Sequence, residues 1–317
     1  MIDSISIVIP SYNESKNISE VYRRTIEVIK KLNIEKYELV FVENGSNDES
    51  LEMLKKINSK NKSVKIISLS RNFGYQSAIA VGLKYSESNY VCVMDGDLQD
   101  PPELISKFIE KIDEGYDVVY GIRSKRKGNF MKKIFYNLFY EIYSKLCEID
   151  VPKKAGDFCL MNKKVVKNLN NLSEKNLFIR GLRSWVGFKQ TGVEYERDER
   201  YAGKTNFSFF GAMALGLDGF VSFSLIPLRF ILITGTIISF FSFLFFLFLF
   251  SVKILHIFNI YDLTSFQLPR GLTFTNSILT LSLGLVMFTL GIIGEYVGRI
   301  YFEVKNRPNF IINEIIQ

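Results

Sequence analysis

Short apolar runs alternate with amphipathic stretches through about the first 125 residues of the chain. The runs SISIVIP, YELVFVE, VKIISLS, YVCVMD and YDVVYG have the length and composition of buried strands. Between them, NISEVYRRTIEVIKKL places Ile18, Val21, Val28 and Ile29 on one helical face, and SNDESLEMLKKI, QSAIAVGLKYS and PPELISKFIEKI are further helix patterns. This alternation predicts an α/β domain with a mostly parallel sheet covered by helices on both faces.

Polar clusters follow the first four predicted strands, with the sequences PSYNE, ENGSNDES, SRNFGYQSA and DGDLQD. Ligands of parallel α/β sheets bind at the carboxyl ends of the strands, so we predict that these four clusters form one site. The first strand is not followed by G-x-G-x-x-G, and the chain has no Walker A sequence. Neither a dinucleotide site nor a P-loop is therefore indicated.

Three aspartates, Asp95, Asp97 and Asp100, stand within six residues directly after an apolar run. Carboxylates this close repel one another and are costly to bury unpaired, so a positive partner is expected. Asp95 and Asp97, on either side of Gly96, can direct oxygens at one Mg²⁺ or Mn²⁺, with water and substrate phosphates completing its shell. The alternative is a solvated turn; the position beside three other polar strand ends favours the metal site.

Charged residues are dense up to about Arg200 and become rare afterwards. Phe230–Val252 contains 23 residues without a charge, 17 of them Phe, Ile, Leu or Val, and Gly271–Gly294 contains 24. Each stretch is long enough to cross a hydrocarbon layer of ~30 Å as a helix. We predict a domain over 1–205, an amphipathic juxtamembrane segment over 206–228, and a region 229–317 with two transmembrane helices at about 230–252 and 272–295 and a short tail. The alternative is a pair of buried core helices.

The charge balance, 40 Lys and Arg against 33 Asp and Glu, gives a net charge of +7. This suits an anionic partner such as a nucleotide, a lipid phosphate or a membrane surface, without choosing among them, and no nucleic-acid partner is indicated. The three cysteines form no C-x-x-C pair, and the N-terminus lacks a signal-peptide pattern. Two spans and a small excess of Lys and Arg at their outer ends predict a multi-pass protein of the inner (cytoplasmic) membrane, with the N-terminal domain in the cytoplasm.

An ordered series of motifs along nearly the whole chain resembles family 2 glycosyltransferases. The motifs are IVIPSYNE, VENGSNDES, SRNFGYQSAIAVGL, DGDLQDPPE, GDFCLM, RGLRSWVGFKQTGVEYERDERYAGKTNF and GEYVGRIYFEVKNRPNFII. They are most similar to the polyprenyl-phosphate group, which includes bactoprenol glucosyltransferases and dolichol-phosphate mannose synthase. The resemblance implies a Rossmann-like GT-A fold over 1–205, a nucleotide-sugar donor, Mg²⁺ or Mn²⁺, and undecaprenyl phosphate as acceptor. It also implies inverting transfer of a single sugar, with UDP-glucose favoured over UDP-N-acetylglucosamine.

The resemblance implies roles for individual positions of the donor site. Pro10, Tyr12 and Glu14 match the family's nucleotide-binding first loop, and Gly45 and Ser46 match its D-G-S turn. This chain has Asn44 where the family has the aspartate of that turn. Either the preceding Glu43 takes over its contact with the base, or the Asn44 amide reads the base differently.

The resemblance also implies the catalytic and acceptor residues. Asp95 and Asp97 match the metal- and diphosphate-binding pair, Gln99 and Asp100 match a Q-D pair near the donor sugar and the acceptor, and Asp157 matches a second catalytic carboxylate. Arg123, which follows the fifth strand, and Arg200 and Lys204 in ERYAGKTNF are expected to bind the acceptor phosphate.

A histidine base is not expected at this site, because the single histidine, His256, lies between the two predicted spans. A phosphate monoester has a second pKa of about 6 and is already anionic at neutral pH, so Asp157 is expected to orient or stabilise rather than to remove a proton.

Two alternatives remain open. A processive polysaccharide synthase would carry Q-x-x-R-W and more spans, whereas RGLRSW separates Arg183 from Trp185. A catalytically silent scaffold would be indicated by the loss of Asp95 or Asp97, and both are present. Gly284, Gly291 and Gly294 would permit close helix contacts in a homo-oligomer, possible as a tetramer.

Overall fold

The computed structural model describes residues 2–123, 155–175, 177–197, 201 and 272–317, with scattered positions between 228 and 251. The chain divides into two compact units, Met1–Phe223 with Asn306–Gln317, and Ser224–Lys305. Arg200, Lys204 and His256 lie outside the described residues, as does nearly all of the predicted 206–228 segment. In the predicted 230–252 span, 11 of the 23 positions also lie outside them, and the 12 described positions are helical.

The described part of the first unit contains an eight-stranded sheet in the order β7-β5-β6-β4-β1-β2-β3-β8. Strand β1 is parallel to β2 and β4, β2 is parallel to β3, and β5 is parallel to β7. Strands β6 and β8 are antiparallel to their neighbours. The strands are β1 Ser4–Ser11, β2 Lys36–Glu43, β3 Val64–Leu69, β4 Tyr90–Val93, β5 Val118–Arg123, β6 Ala155–Asn162, β7 Gln190–Tyr195 and β8 Ile312–Ile316. The predicted mostly parallel α/β sheet is confirmed.

Helices cover both faces of this sheet. They are α1 Ser15–Lys31, α2 Ser50–Lys60, α3 Tyr75–Tyr85, α4 Leu104–Asp113, α5 Lys163–Asn170 and α6 Ile179–Trp185. The second unit, described by itself, contains α7 Leu272–Lys305. Successive side chains of a strand point to opposite faces. Ile7 and Ile9 therefore join a hydrophobic cluster with α1, α2 and α4, whereas Val8 joins one with α3, α5 and α6. Each such fully buried side chain contributes about 1.5–3 kcal/mol to folding.

The reversed direction of β6 determines where its first residues lie. In the register of the sheet, Ala155 is opposite Ile122 of β5, and Cys159 is opposite Val93 of β4. The amino end of β6 therefore lies beside the carboxyl ends of β4 and β5. Asp157, near that amino end, is placed at the same edge of the sheet as the polar clusters that follow the parallel strands.

The C-terminal residues form part of the first unit and not a free tail. Strand β8 pairs with the edge strand β3, with Ile316 opposite Ile66 and Ile312 opposite Leu69. Just before it, the Ile311 carbonyl accepts a hydrogen bond from the Ser70 amide at 3.0 Å. This strand was not predicted from the sequence. It covers what would otherwise be an exposed sheet edge.

Helix α7 begins where the second predicted span begins, but it continues to Lys305. Among the described residues it is the one helix that is long and apolar enough to cross a membrane, over Ser282–Lys305. That assignment rests on length and composition. The first of the two predicted spans, 230–252, is not confirmed.

Candidate active site

The first two polar clusters are joined by hydrogen bonds between their loops. The Asn13 amide donates to Ser46 Oγ at 3.0 Å, the Asn47 amide donates to Asn13 Oδ1 at 2.9 Å, and the Glu14 amide donates to Ser50 Oγ at 3.0 Å. Asn13 has a left-handed φ of 55°, a conformation that asparagine adopts more readily than most residues. The loops after β1 and β2 therefore form one surface.

The remaining predicted residues of the first loop lie on this surface or support it. Pro10 is buried at the end of β1, Tyr12 is half-buried, and the Glu14 carbonyl accepts hydrogen bonds from the first turn of α1. Glu43 is buried, and its carboxylate accepts hydrogen bonds from the Ser46 amide and from Ser68 Oγ. Glu43 thus holds the second loop to β3.

Asn44 fixes the third polar cluster against the second. Its Oδ1 accepts from the Phe73 amide at 3.0 Å, and its Nδ2 donates to the Gly74 carbonyl and to Asn72 Oδ1, both at 3.2 Å. These contacts use both donors of the buried amide. Both donors of the Asn44 amide are used in holding the loops, so a nucleotide base could be contacted without breaking these bonds only through the remaining acceptor positions of the Asn44 and Glu43 side-chain oxygens.

Gly45 lies against the backbone of the third loop, which leads to a testable prediction. Its φ is 69°, and a Cβ added there would lie 2.5 Å from the Arg71 carbonyl carbon. We expect Gly45→Ala to displace one loop and to weaken binding of the nucleotide-sugar donor about tenfold or more, or at least ~1.4 kcal/mol. Isothermal titration with UDP-glucose would measure this.

Gly115 provides the control for Gly45, because its φ is 89° and a Cβ added there would meet nothing within 4 Å. We expect Gly115→Ala to cost about 1 kcal/mol of stability and to leave donor affinity unchanged. Wild-type affinity in a folded Gly45→Ala variant would contradict the prediction.

The acidic cluster forms a tight turn after β4. A Cβ added at Gly96 would lie 3.1 Å from the Pro10 carbonyl oxygen, so the turn packs against the end of β1. The Gln99 amide donates to Asp97 Oδ1 at 3.0 Å, and Leu98 between them has a φ of 59°. A left-handed leucine costs on the order of 1–3 kcal/mol, a strain that is found most often at functional sites.

Two tyrosines hold two of the aspartates. Tyr75, the first residue of α3, donates its hydroxyl to Asp95 Oδ1, and Tyr195, the last residue of β7, donates to Asp100 Oδ1. Burial, followed by repulsion from Asp100 and Asp97, raises the pKa of Asp95 to about 8. Additional positive charge at this cluster would therefore be favourable.

Part of the positive charge expected from the sequence is supplied by two arginines. Arg123 Nη2 lies 3.5 Å from Asp100 Oδ2 and 4.0 Å from Asp95 Oδ2. Arg197 Nη2 lies 3.6 Å from Asp95 Oδ2, and its Nε lies 3.5 Å from Asp100 Oδ1. The two guanidinium groups thus share the same pair of carboxylates.

Asp157 lies in a separate ion pair at the same sheet edge. Its Oδ2 is 2.9 Å from Arg180 Nη2, and the side chains are 11% and 17% exposed. Burial raises the pKa of Asp157, but Arg180, followed by Arg183 and Arg123, outweighs burial and lowers it. Arg183 is almost fully buried over the ring of Tyr120. Asp157 is therefore ionised at neutral pH.

Four residues of the site were not predicted from the sequence: Tyr75, Tyr195, Arg180 and Arg197. All four lie inside the motifs that were quoted, but their partners are 20 to 102 positions away along the chain, so spacing gave no signal. Arg123 was predicted and lies at the cluster, whereas Arg200 and Lys204 lie outside the described residues.

The chemistry of the acidic turn fits a hard divalent cation. Across the described ranges, no group of three or more His, Cys, Asp or Glu residues could enclose a metal. Mg²⁺ and Mn²⁺ need only one or two protein carboxylates when substrate phosphates and water complete the shell. Asp95 and Asp97 supply such a pair. Burial, followed by repulsion from Asp100 and Asp97, raises the pKa of Asp95, so a bound cation would stabilise its charged form.

The matching family model and two similar curated proteins are all named as glycosyltransferases. The family model for glycosyl transferase family 2 matches residues 6–169. The uncharacterized glycosyltransferase YkcC of Bacillus subtilis is 45% identical over 98% of this chain and 93% of its own length. The SfII prophage-derived bactoprenol glucosyl transferase of Shigella flexneri is 36% identical over 98% of this chain and 97% of its own.

A more distant likeness is found among solved structures. Glucosyl-3-phosphoglycerate synthase from Mycobacterium tuberculosis, in complex with Mn²⁺, UDP-glucose and phosphoglyceric acid, covers 69% of this chain and 78% of its own. The identity is 16% and the TM-score 0.45, so no ligand is assigned to this chain from it.

Proposed function

Because the chain belongs to glycosyltransferase family 2, we propose that it transfers one sugar from a nucleotide-sugar donor to a polyprenyl phosphate. The proposed donor is UDP-glucose, the proposed acceptor is undecaprenyl phosphate, and the anomeric configuration inverts. Similarity over nearly the whole length to relatives named bactoprenol glucosyl transferase supports the acceptor. The observation that carries the proposal is the acidic turn, which lies directly beside two partly exposed arginines at one sheet edge.

The donor is proposed to bind on the loops that follow β1, β2 and β4. The joined first and second loops form the nucleotide cradle, from Pro10, Tyr12, Glu14, Glu43, Asn44, Gly45 and Ser46. Asp95 and Asp97 would hold Mg²⁺ or Mn²⁺, and the ion, when bound, would stabilise the leaving diphosphate as a Lewis acid. Gln99, half-buried at the end of the turn, is proposed to contact the sugar.

The acceptor is proposed to present its phosphate to Arg123, with Arg200 and Lys204 as further contacts. Arginine offers a planar fork of donors that matches a phosphate. Holding the phosphate in line with the anomeric carbon converts a collision into a unimolecular step, which can remove about 7–11 kcal/mol from the barrier. Because that phosphate is already anionic, the site does not require a strong base.

Asp157 is proposed to stabilise the positive charge that develops on the sugar. Its pKa is lowered, so the side chain carries a full negative charge at neutral pH and is a weak proton acceptor. The ion pair with Arg180 fixes the direction of the carboxylate. This arrangement favours an electrostatic and orienting role.

A membrane location is supported by the second unit and by the C-terminal strand. The apolar side chains of α7, including Leu283, Met287 and Leu290, are exposed, which is unfavourable in water. Strand β8 follows α7 and belongs to the unit that contains the N-terminal domain. If α7 crosses a membrane, the chain must cross it an even number of times in all. The proposed second crossing is the 230–252 span, giving a multi-pass protein of the inner membrane with a cytoplasmic active site.

A transfer assay tests the proposed function. Purified full-length protein in detergent is incubated with undecaprenyl phosphate, Mn²⁺ and radiolabelled UDP-glucose, UDP-N-acetylglucosamine or GDP-mannose. We expect label from UDP-glucose to enter the organic phase as a single sugar, to stop with EDTA, and to resume when Mn²⁺ is restored.

Each other result of the assay contradicts part of the proposal. Transfer from another donor would overturn the choice of glucose, and polymeric product would favour a processive synthase. Absence of both transfer and nucleotide binding would favour the scaffold.

A further inference from the structure

The two oxygens of Asp95 already face partners that would compete with a metal ion. Oδ1 accepts the hydroxyl of Tyr75, and Oδ2 lies within 4.0 Å of guanidinium nitrogens from both Arg123 and Arg197. A divalent cation that approaches Oδ2 therefore meets two positive charges. Like charges at this separation repel one another strongly when they are shielded from water.

The arginines are close to the aspartates without being tightly bonded to them. Their ion-pair distances are 3.5–4.0 Å, whereas charge-assisted hydrogen bonds are about 2.7–2.9 Å. Their side chains are 21% and 28% exposed, and Arg197 Nε donates no hydrogen bond among the described residues. Both guanidinium groups retain donors that an incoming phosphate could accept.

Asp100 gives the arginine pair a fixed anchor. It is fully buried, its Oδ1 accepts the hydroxyl of Tyr195, and each arginine has a nitrogen 3.5 Å from one of its oxygens. Arg123 Nε also lies 3.3 Å from the Tyr195 oxygen. Because Asp100 is fully buried and meets both arginines, it is suited to orient their guanidinium groups.

We propose that Arg197, together with Arg123, neutralises Asp95 in the absence of substrate. A divalent metal must displace the two guanidinium groups in order to bind Asp95, and a substrate phosphate then binds those groups. The inference rests on the proposed function and adds to it a role for Arg197. Before phosphate binds, the pair weakens binding of the metal. Once a phosphate holds the guanidinium groups, Asp95 Oδ2 faces less positive charge, so phosphate and metal strengthen each other's binding.

Direct metal binding tests this without any catalysis. Mn²⁺ alone is titrated into detergent-solubilised full-length protein, and free Mn²⁺ is followed by electron paramagnetic resonance. We expect Arg197→Gln to bind Mn²⁺ about tenfold more tightly than wild type, because one competing charge is gone. Arg197→Lys keeps the charge and should bind within about threefold of wild type.

A remote charge provides the control. Arg23 on α1 is exposed and paired with Glu20 and Glu27, so Arg23→Gln removes one positive charge away from the site. It should leave Mn²⁺ affinity unchanged. Equal affinity in wild type and Arg197→Gln, the same tightening in Arg23→Gln, or no Mn²⁺ binding by either protein would overturn the proposal.

A second measurement separates this role from a purely structural one. In the transfer assay, Arg197→Gln should raise the KM for undecaprenyl phosphate about tenfold at saturating Mn²⁺, with the thermal midpoint unchanged. An unchanged KM would overturn the phosphate half of the proposal. Failure of transfer in the wild type would count against the proposed function. The comparison of Mn²⁺ affinities would still show whether Arg197 competes with the metal for Asp95.

Discussion

Asp97→Asn is expected to lower the rate of sugar transfer by about 1,000-fold or more. Asp97 is 6% exposed, and its Oδ1 accepts the Gln99 amide, a contact that an asparagine oxygen can also accept. The substitution therefore removes the charge while it preserves the turn. Losing a single preorganised electrostatic contact to a developing charge typically costs 100- to 1,000-fold. Here the metal and the diphosphate it carries would be affected together.

The comparison for Asp97 is an aspartate outside the site. Asp113 is exposed at the end of α4, so Asp113→Asn removes one negative charge without altering the acidic turn. Initial rates of lipid-linked sugar formation are measured for both variants, with thermal unfolding as a check on folding. If a folded Asp97→Asn protein kept more than about a tenth of the wild-type rate, Asp97 would not hold the metal or the diphosphate.

The features of the fold that local sequence determines were predicted well. The apolar runs became strands, and Ile18, Val21, Val28 and Ile29 form the buried face of α1 as their spacing indicated. The family identified from the motifs is confirmed. These features depend on residues within a few positions of one another, so they can be predicted from a single sequence.

The features that depend on distant residues were missed. Strand β8 is only five residues long, follows a 34-residue helix, and exists because the edge of β3 is available to it. Tyr195 meets Asp100 because β7 pairs with β5 and ends at the acidic turn. A contact between residues this far apart leaves no periodic pattern in the sequence. The four convergent clusters were predictable because parallel strands bring their carboxyl ends to one edge, but Arg197 and Arg180 beside them were not.

Asp157→Asn is expected to lower kcat about 100-fold while it leaves the acidic limb of the pH–rate profile in place. The lowered pKa of Asp157 keeps the carboxylate ionised throughout the range in which the enzyme would work. An acidic limb near pH ~6 would come from the acceptor, whose phosphate loses nucleophilicity as it takes up its second proton. Because the acceptor is unchanged in the variant, the limb should persist.

Removing Arg180 tests the same ion pair from its other side. In Arg180→Met, burial of Asp157 is opposed only by Arg183 and Arg123, so the pKa of Asp157 rises and the rate should fall at a higher pH than in wild type.

The same substitution should also lower stability, because breaking a buried pair by removing one partner costs about 3–5 kcal/mol. The contribution of the pair to stability is present above the unfolded pKa of 3.8 and is lost as pH falls through the lower folded value.

The double variant Asp157→Asn/Arg180→Met separates charge from packing. With neither charge left buried alone, it should recover part of the stability that Arg180→Met loses, while its rate stays near that of Asp157→Asn. Thermal unfolding and pH–rate profiles of the three variants and wild type measure both effects. If the residual rate of Asp157→Asn instead showed no acidic limb, the limb of the wild type would belong to Asp157. The carboxylate would then be the base that deprotonates the acceptor.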